Sequence, residues 1–367
     1  MPARFHIGMA TTDDDAQLRD ILRRTPMPGN VTVTLEREPS FFAGDVDAQN
    51  HTVIVARDSD SQVIALASRI EREAWIGGEI KTVAYLGDLR VLPEHRKSAG
   101  RIMISGFHEI QKLNTARPVA STYTAIFEDN TTARQVLVGG RAGLPEYVER
   151  GRLICPALLV RRNMKEPKAS PGRIRRATKS DLSQLVAFLN ERFRHRDFAP
   201  VHREEDFLRG NRWPGLRVED FILAHDGGRL IGAIAIWDLR ACRQIRVKNY
   251  TGWLKHLRGN ISRAMKVLGW LPLPYPDELL PAAFASFLSA ADDDLSIARQ
   301  LLNHARYEAS QRDIGFLFAS LHEGDPLAPA LNGWPGIHST GRLFQVVFDG
   351  ETPLSSGSQP HVEANFL

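Results

Sequence analysis

Two stretches of this chain, about 165 residues apart, open in the same way, and that repetition limits the available folds more than any other feature. Around Ile7 an extended run, read as Arg4 to Ala10, leads into Thr11-Thr12-Asp13-Asp14-Asp15 and then a helical pattern to about Arg24. From Arg173 a second run leads into Ala177-Thr178-Lys179-Ser180-Asp181 and a helix carrying Leu182, Leu185, Phe188 and Leu189. In both, side-chain oxygens suited to N-capping and negative charge stand at a helix start. A hairpin pattern follows each: Thr52–Arg57 with Gln62–Glu73, and Phe221–His225 with Arg229–Leu239 around Asp226-Gly227-Gly228. Self-similarity at so long a period means two copies of one mixed fold and excludes a short-period solenoid. The 367 residues are enough for two domains, each burying its own core.

The first copy continues with a strand over Lys81–Val91, a helix from about Ala99 to Leu113, a strand over Val119–Phe127, a short helix over Asn130–Val138 and a strand over Arg152–Val160. The second continues with a strand over Ala283–Leu288, a helix from about Leu295 to Gln311 and a strand over Ile314–Leu321. Strands and helices mixed in this order give an α/β (α+β) class. Between the copies, residues 163–172 are polar, contain Pro167 and Pro171 and lack periodicity, which is linker composition. The expected units are residues 1–165 and 173–351, with a C-terminal tail over 352–367.

Several function classes fall away on composition. Hydrophobic residues at 43% and charged residues at 25% match ordinary globular usage, which excludes a disordered chain. The longest apolar runs, Leu230–Trp237 and Pro281–Ala291, fall far short of the roughly 20 residues a membrane span needs. The amino terminus has no signal-peptide pattern, so the expected address is the cytoplasm. Cys155 and Cys242 are too few for a disulfide scaffold and read as buried thiols, and no histidines stand at metal-ligand spacing, so no metal is expected. A net charge of +4 gives no reason to expect nucleic acid as a partner.

The segment Leu89-Arg90-Val91-Leu92-Pro93-Glu94-His95-Arg96-Lys97-Ser98-Ala99-Gly100-Arg101-Ile102 is a strand end running into a helix start, where unpaired amides face an anion. Arg96, Lys97 and Arg101 add positive charge, and Ser98 and Gly100 permit close backbone approach. This segment resembles the acetyl-CoA signature of the GNAT superfamily of N-acetyltransferases, and the order of elements over residues 4 to 162 resembles that family too. The resemblance implies two tandem GNAT-like domains, each a mixed, mostly antiparallel sheet flanked by helices. It implies acetyl-CoA as co-substrate, in a V-shaped opening between the Lys81–Val91 and Val119–Phe127 strands. Leu89, Arg90 and Val91 would pair with the pantetheine arm, and Arg96 to Arg101, with Ala99 in place of the family's first glycine, would meet the pyrophosphate. Asn130 matches the family's asparagine and is also suited to N-capping.

Direct attack of an amine on a thioester needs a base and a donor for the developing negative charge. Asp88, on the signature strand, is the candidate base, and pairing with Arg90 or Arg96 is its structural alternative. The tyrosine that the family often places seven positions after the asparagine, as acid toward the thiolate, is Leu137 here, and Tyr147 stands ten residues further on. At the corresponding junction of the second copy, Asp292-Asp293-Asp294 would repel phosphate, and Asp294 reads as a helix cap. From Arg240 to Lys266 there are basic residues and no acid. Trp253, Leu257, Ile261 and Met265 form an apolar stripe in an inserted helix at about 250–275, which reads either as packed against the domain or as facing an anionic ligand. The expected activity is transfer of an acetyl group to a primary amine of a small molecule or peptide. The alternatives are a catalytically inactive binding or regulatory protein for an anionic ligand, and an aminoacyl-transferring enzyme that would bind charged transfer RNA.

Overall fold

The opening motif folds identically in both copies. In the first, the Thr11 amide donates to Asp14 Oδ2 at 2.8 Å, and Arg57 holds the same oxygen at 2.7 Å. In the second, the Thr178 amide donates to Asp181 Oδ2 at 2.7 Å and Arg175 grips the carboxylate with both nitrogens. Each motif satisfies amides that a helix start leaves unpaired, and helices Asp15–Arg24 and Leu182–Phe193 follow. The computed structural model describes residues 5–45, 49–167, 174–209, 212–355 and 359–366. Residues 168–172 of the expected linker, Arg4 and Arg173 at the expected strand starts, and residues 356–358 and 367 of the expected tail lie outside the described residues.

Helical periodicity decides which faces are covered. Helix Leu295–Ser310 buries Ala298, Leu301, Leu302, Ala305 and Ala309 against strands Phe221–Asp226, Arg229–Trp237 and Ala282–Ala290. Helix Ala99–Ala116 buries Ile102, Phe107 and Ile110, and helix Asp15–Arg24 buries Leu18, Ile21 and Leu22. These helices flank one mixed sheet of 13 strands. From one edge it runs His6–Met9, Asn50–Arg57, Val63–Ile76, Glu79–Val91, Thr122–Phe127, Gly336–Val347 and Glu146–Leu159. It continues with Phe316–Phe318, Ala282–Ala290, Arg229–Trp237, Phe221–Asp226 and Ile174–Arg176, while Leu321–His322 pairs separately with Glu146–Leu159.

The middle of this order joins the two copies. Strand Gly336–Val347 belongs to the second copy in sequence, yet it pairs antiparallel with two strands of the first, Thr122–Phe127 on one side and Glu146–Leu159 on the other. Strand Glu146–Leu159 in turn carries Phe316–Phe318 and Leu321–His322 on its far edge. The run expected over Ile314–Leu321 is therefore two short strands, interrupted where the Ala319 amide bonds to Pro156 O at 3.1 Å. Beyond Pro360, His361, Val362, Glu363, Asn365 and Phe366 are buried.

The inserted helix spans Gly252–Val267 and turns only the second half of the expected stripe inward. Leu254, Ile261 and Met265 pack inward, whereas Trp253 is 61% and Leu257 45% exposed. A spacing of four drifts around a helix of 3.6 residues per turn, so the stripe starts beside the packed face at Trp253 and reaches it, next to Leu254, at Ile261 and Met265. No helix among the described residues is long and apolar enough to cross a membrane.

Candidate active site

A bulge creates the site. Along the pairing of Val63–Ile76 with Glu79–Val91, Leu66 faces Arg90 and Ser68 faces Gly87, so Asp88 and Leu89 stand opposite Ala67 alone. Asp88 takes φ = +53°, the left-handed region that aspartate enters more readily than most residues. Such a bulge bends a strand, interrupts the ladder and re-aims a side chain. On its other edge the bulged strand pairs in parallel with Thr122–Phe127 only at Ala84–Thr122 and Tyr85–Tyr123. The Thr124 hydroxyl then donates to Leu86 O at 2.7 Å, and past that point the ladder ends, so Leu89 to Val91 have no strand partner on that edge.

The signature helix follows this unpaired edge. Pro93–Ser98 is a 3₁₀ helix of two turns that runs into helix Ala99–Ala116. Ala99 has helical dihedrals (φ −55°, ψ −41°), which alanine adopts without strain, and a Cβ on Gly100 would meet open space. Arg96 and Lys97 are exposed, and neither has an ion-pair partner among the described residues. Arg101 leans back toward Ser98 Oγ at 3.5 Å and the Phe5 ring at 5.8 Å, so it leaves the turn open. Asn130 uses its side-chain oxygen as an N-cap, accepting from the Ala133 amide at 3.1 Å.

Asp88 is tied to neither Arg90 nor Arg96 by a hydrogen bond. Arg37 Nη2 donates to its Oδ2 at 2.7 Å, and the Ser68 hydroxyl donates to the same oxygen at 2.9 Å. Ser68 Oγ also lies 2.9 Å from His51 Nε2, and His51 Nδ1 lies 2.7 Å from Asp45 Oδ1. Arg37 bonds to Asp45 as well, at 3.1 Å, which closes the ring of contacts. Burial pulls the Asp88 pKa upward, but the nearby Arg37 first, then Arg90, Arg243 and the His51 ring, outweigh it and hold the carboxyl at about 2. Burial and the nearby Arg37 bring Arg243 down to about 10, against the pull of Asp88 and Asp45. A carboxylate this acidic holds a proton only transiently at neutral pH.

Asp88 lines a cavity of about 610 Å³ built by both copies. Its walls include Val33, Ile245, Leu273, Phe284, Phe318 and Ile337, with Glu36, Arg37, Asp88, Arg240 and Arg243 among the charged groups on its surface. One wall is a ribbon in which Val31–Glu36 pairs antiparallel with Gln244–Tyr250. Three basic residues of that region pair with acids: Arg240 with the nearby Asp238 at 2.6 Å, Arg246 with Glu36 at 3.0 Å, and Lys248 with Asp277. Arg243 instead donates to the carbonyls of Gly44 and Asn365.

No family model and no curated protein sequence matches the chain. Among solved structures it aligns with a GCN5-related glucosamine N-acetyltransferase region in a fungal multi-domain GH3 β-N-acetylglucosaminidase. That match has 13% identity and a TM-score of 0.60 over 94% of this chain, and it spans 38% of the fungal chain. It also aligns with Saccharomyces cerevisiae N-myristoyltransferase bound to myristoyl-CoA, at 10% identity and a TM-score of 0.59, over 98% of this chain and 89% of that one. The fold is GNAT-like.

Within this GNAT-like fold the second copy repeats the bulge and fills it differently. Opposite Arg229–Trp237, Ala233 faces Ser289 and Ala235 faces Ser286, which leaves Phe287 in the bulge at φ = +59°. Its ring is buried beside Trp213, Trp237 and Phe221, and its amide donates to Glu363 Oε1 at 2.9 Å. At the following junction Asp294 caps helix Leu295–Ser310 through the amides of Ser296 and Ile297, and Asp293 pairs with Arg192 and Arg196. Leu137 is buried and apolar, and burial pushes the Tyr147 hydroxyl pKa upward. Cys155 is buried, with its thiol pushed up to about 11, and Cys242 is half-buried. The residues that surround Asp88, namely Arg37, Asp45, His51, Ser68 and Arg243, form no motif in the sequence, because three separate segments of the first copy and one of the second supply them.

Proposed function

We propose that the chain is an acyltransferase that moves an acyl group from a CoA thioester to a primary amine by direct attack, with acetyl-CoA as the donor. Residues 1–165 bind the donor and residues 173–351 shape the acceptor site. Leu89, Arg90 and Val91 hold the pantetheine arm along their unpaired strand edge. Arg96, Lys97 and the close backbone approach at Ser98 and Gly100 meet the pyrophosphate, with Arg101 and Asn130 at the margins, while the Ala99 amide is spent on Arg96 O. The acceptor enters from the cavity, its apolar body against the walls and its amine beside Asp88. The observation that carries this reading is the bulge at Asp88, which joins an unpaired strand edge to a largely apolar cavity. Pairing of Arg240, Arg246 and Lys248 with acids of the protein favours an apolar acceptor over a purely anionic ligand.

Calorimetry with acetyl-CoA, compared with a longer acyl-CoA, tests donor binding, and thiol release against a panel of primary amines tests transfer. The expected result is binding that weakens about tenfold or more in Arg96→Glu, the scale of one charge-assisted contact. A wild-type protein that binds no CoA thioester overturns the proposal.

A further inference from the structure

The acid expected at position 137 is a leucine, and burial disfavours ionisation of Tyr147, so the leaving thiolate needs another proton source. The contacts Asp45 to His51 Nδ1, His51 Nε2 to Ser68 Oγ, and Ser68 Oγ to Asp88 Oδ2 run in one line through the first copy and end at the bulge. Ser68 is fully buried, the His51 side chain is 4% exposed, and Asp45, at 21%, stands nearest to solvent. Phe41 and Phe42 pack on the imidazole at 5.9 and 6.0 Å between ring centres. The charged groups at the two ends of the line are Asp45 and Asp88, bridged by the Arg37 guanidinium, with Arg90 and Arg243 acting on Asp88.

Hydrogen count fixes what this line can carry. With Asp88 and Asp45 both ionised, all three contacts are satisfied when His51 is protonated on both nitrogens: Nδ1–H to Asp45, Nε2–H to Ser68, and Ser68 O–H to Asp88. With His51 neutral on Nε2, Ser68 donates to His51, and the contact with Asp88 is a hydrogen bond only when Asp88 carries the proton. The line therefore holds one transferable proton, on His51 or on Asp88, and moving it reverses the Ser68 hydroxyl.

We infer that Asp45, His51, Ser68 and Asp88 form a proton relay that stores a proton on His51, delivers it at Asp88 to the leaving thiolate, and is reloaded by the attacking amine. The inference rests on the acyltransferase reading for its substrates. In the reaction the amine nitrogen forms a bond to the thioester carbonyl carbon, and the carbon–sulfur bond breaks with its electron pair on sulfur. The proton passes from Nε2 to Ser68 while the Ser68 proton passes to Asp88 and on to sulfur. The proton released by the new amide nitrogen then returns to Asp88 and, by the reverse shift, to His51. Nothing is gained or lost overall. Asp88 is the group that meets the reactants, whereas His51, Ser68 and Asp45 act through it as positioning residues.

The test reads the His51 ring nitrogens by NMR on the ¹⁵N-labelled full chain at neutral pH without substrate, assigned by difference against His51→Gln. Both nitrogens carry protons in the wild type. In Asp88→Asn, and separately in Ser68→Ala, the Nε2 proton is lost and the neutral Nδ1–H form remains. A His51 unchanged in either folded variant, or already neutral in the wild type, overturns the relay. Acetyl-CoA calorimetry on the same samples keeps the two proposals apart: absent binding removes the acyltransferase reading, while an unchanged His51 with binding intact removes the relay alone.

Discussion

Asp88→Asn removes one charge from a carboxyl held at about 2, and the cost follows from that position. Asp88 is mostly buried, with an 18% exposed side chain, and its ordinary pKa is 3.8. Lowering a carboxyl from 3.8 to about 2 corresponds to about 2 kcal/mol of stabilisation in the ionised form. A folded-state pKa below the unfolded one stabilises above the unfolded value, and that contribution disappears as the pH falls through the folded value. The wild type is therefore about 2 kcal/mol more stable than Asp88→Asn at pH 7, and the gap closes as the pH falls from about 4 to about 2. Urea unfolding of both proteins at a series of pH values measures the gap directly. Other carboxylates titrate in the same range, but they do so in both proteins and drop out of the difference. A gap that stays constant from pH 7 to pH 3, or an Asn variant as stable as the wild type at neutral pH, refutes the account of how Arg37 and its neighbours hold Asp88.

Gly151, on the strand that joins the two copies, has φ = +100°, and a Cβ there would lie 2.2 Å from His322 Nε2. Gly151→Ala is expected to destabilise the protein by about 3 kcal/mol through backbone strain and displacement of His322; a change within about 0.5 kcal/mol in urea unfolding would contradict it. Asp294→Ala removes the cap of helix Leu295–Ser310 and is expected to cost about 1 kcal/mol in the same assay, while Asp294→Asn stays near the wild type because asparagine caps equally well.

Features encoded by near neighbours were legible in the sequence. The Thr11–Asp14 and Thr178–Asp181 caps span three residues, the hairpins are set by their turns, and Asp294 caps the helix that begins beside it. At Asn130 the capping alternative accounts for the bond the side-chain oxygen makes. What was not legible depends on contacts made across the sequence. Arg37 and Asp88 are 51 residues apart, and His51 and Ser68 meet only because adjacent strands carry them to one face of the bulge. Strand Gly336–Val347 carries no clear strand pattern, because its first half, Gly-Ile-His-Ser-Thr-Gly, is mostly small or polar and only partly buried, and continuous burial begins at Leu343. The ribbon of Val31–Glu36 with Gln244–Tyr250 joins segments more than 200 residues apart and has no turn to announce it.

The two bulges show how one backbone device yields a buried carboxylate beside a cavity in one copy and a closed core in the other. Both strands take a left-handed residue at the same point of the pairing, Asp88 in one and Phe287 in the other. A phenyl ring there stabilises by burial, on the order of 2–3 kcal/mol, and needs no partner beyond apolar neighbours, which Trp213, Trp237 and Phe221 provide. A carboxylate in the same place is costly to bury and stays ionised only where cations are built around it, as Arg37 and Arg243 are around Asp88. Phe287→Asp would therefore not create a second centre. Its new charge would stand among aromatic rings, close to Glu363, which already holds the Phe287 amide. An ionised carboxylate follows the surrounding cations, and the bulge alone supplies only the space.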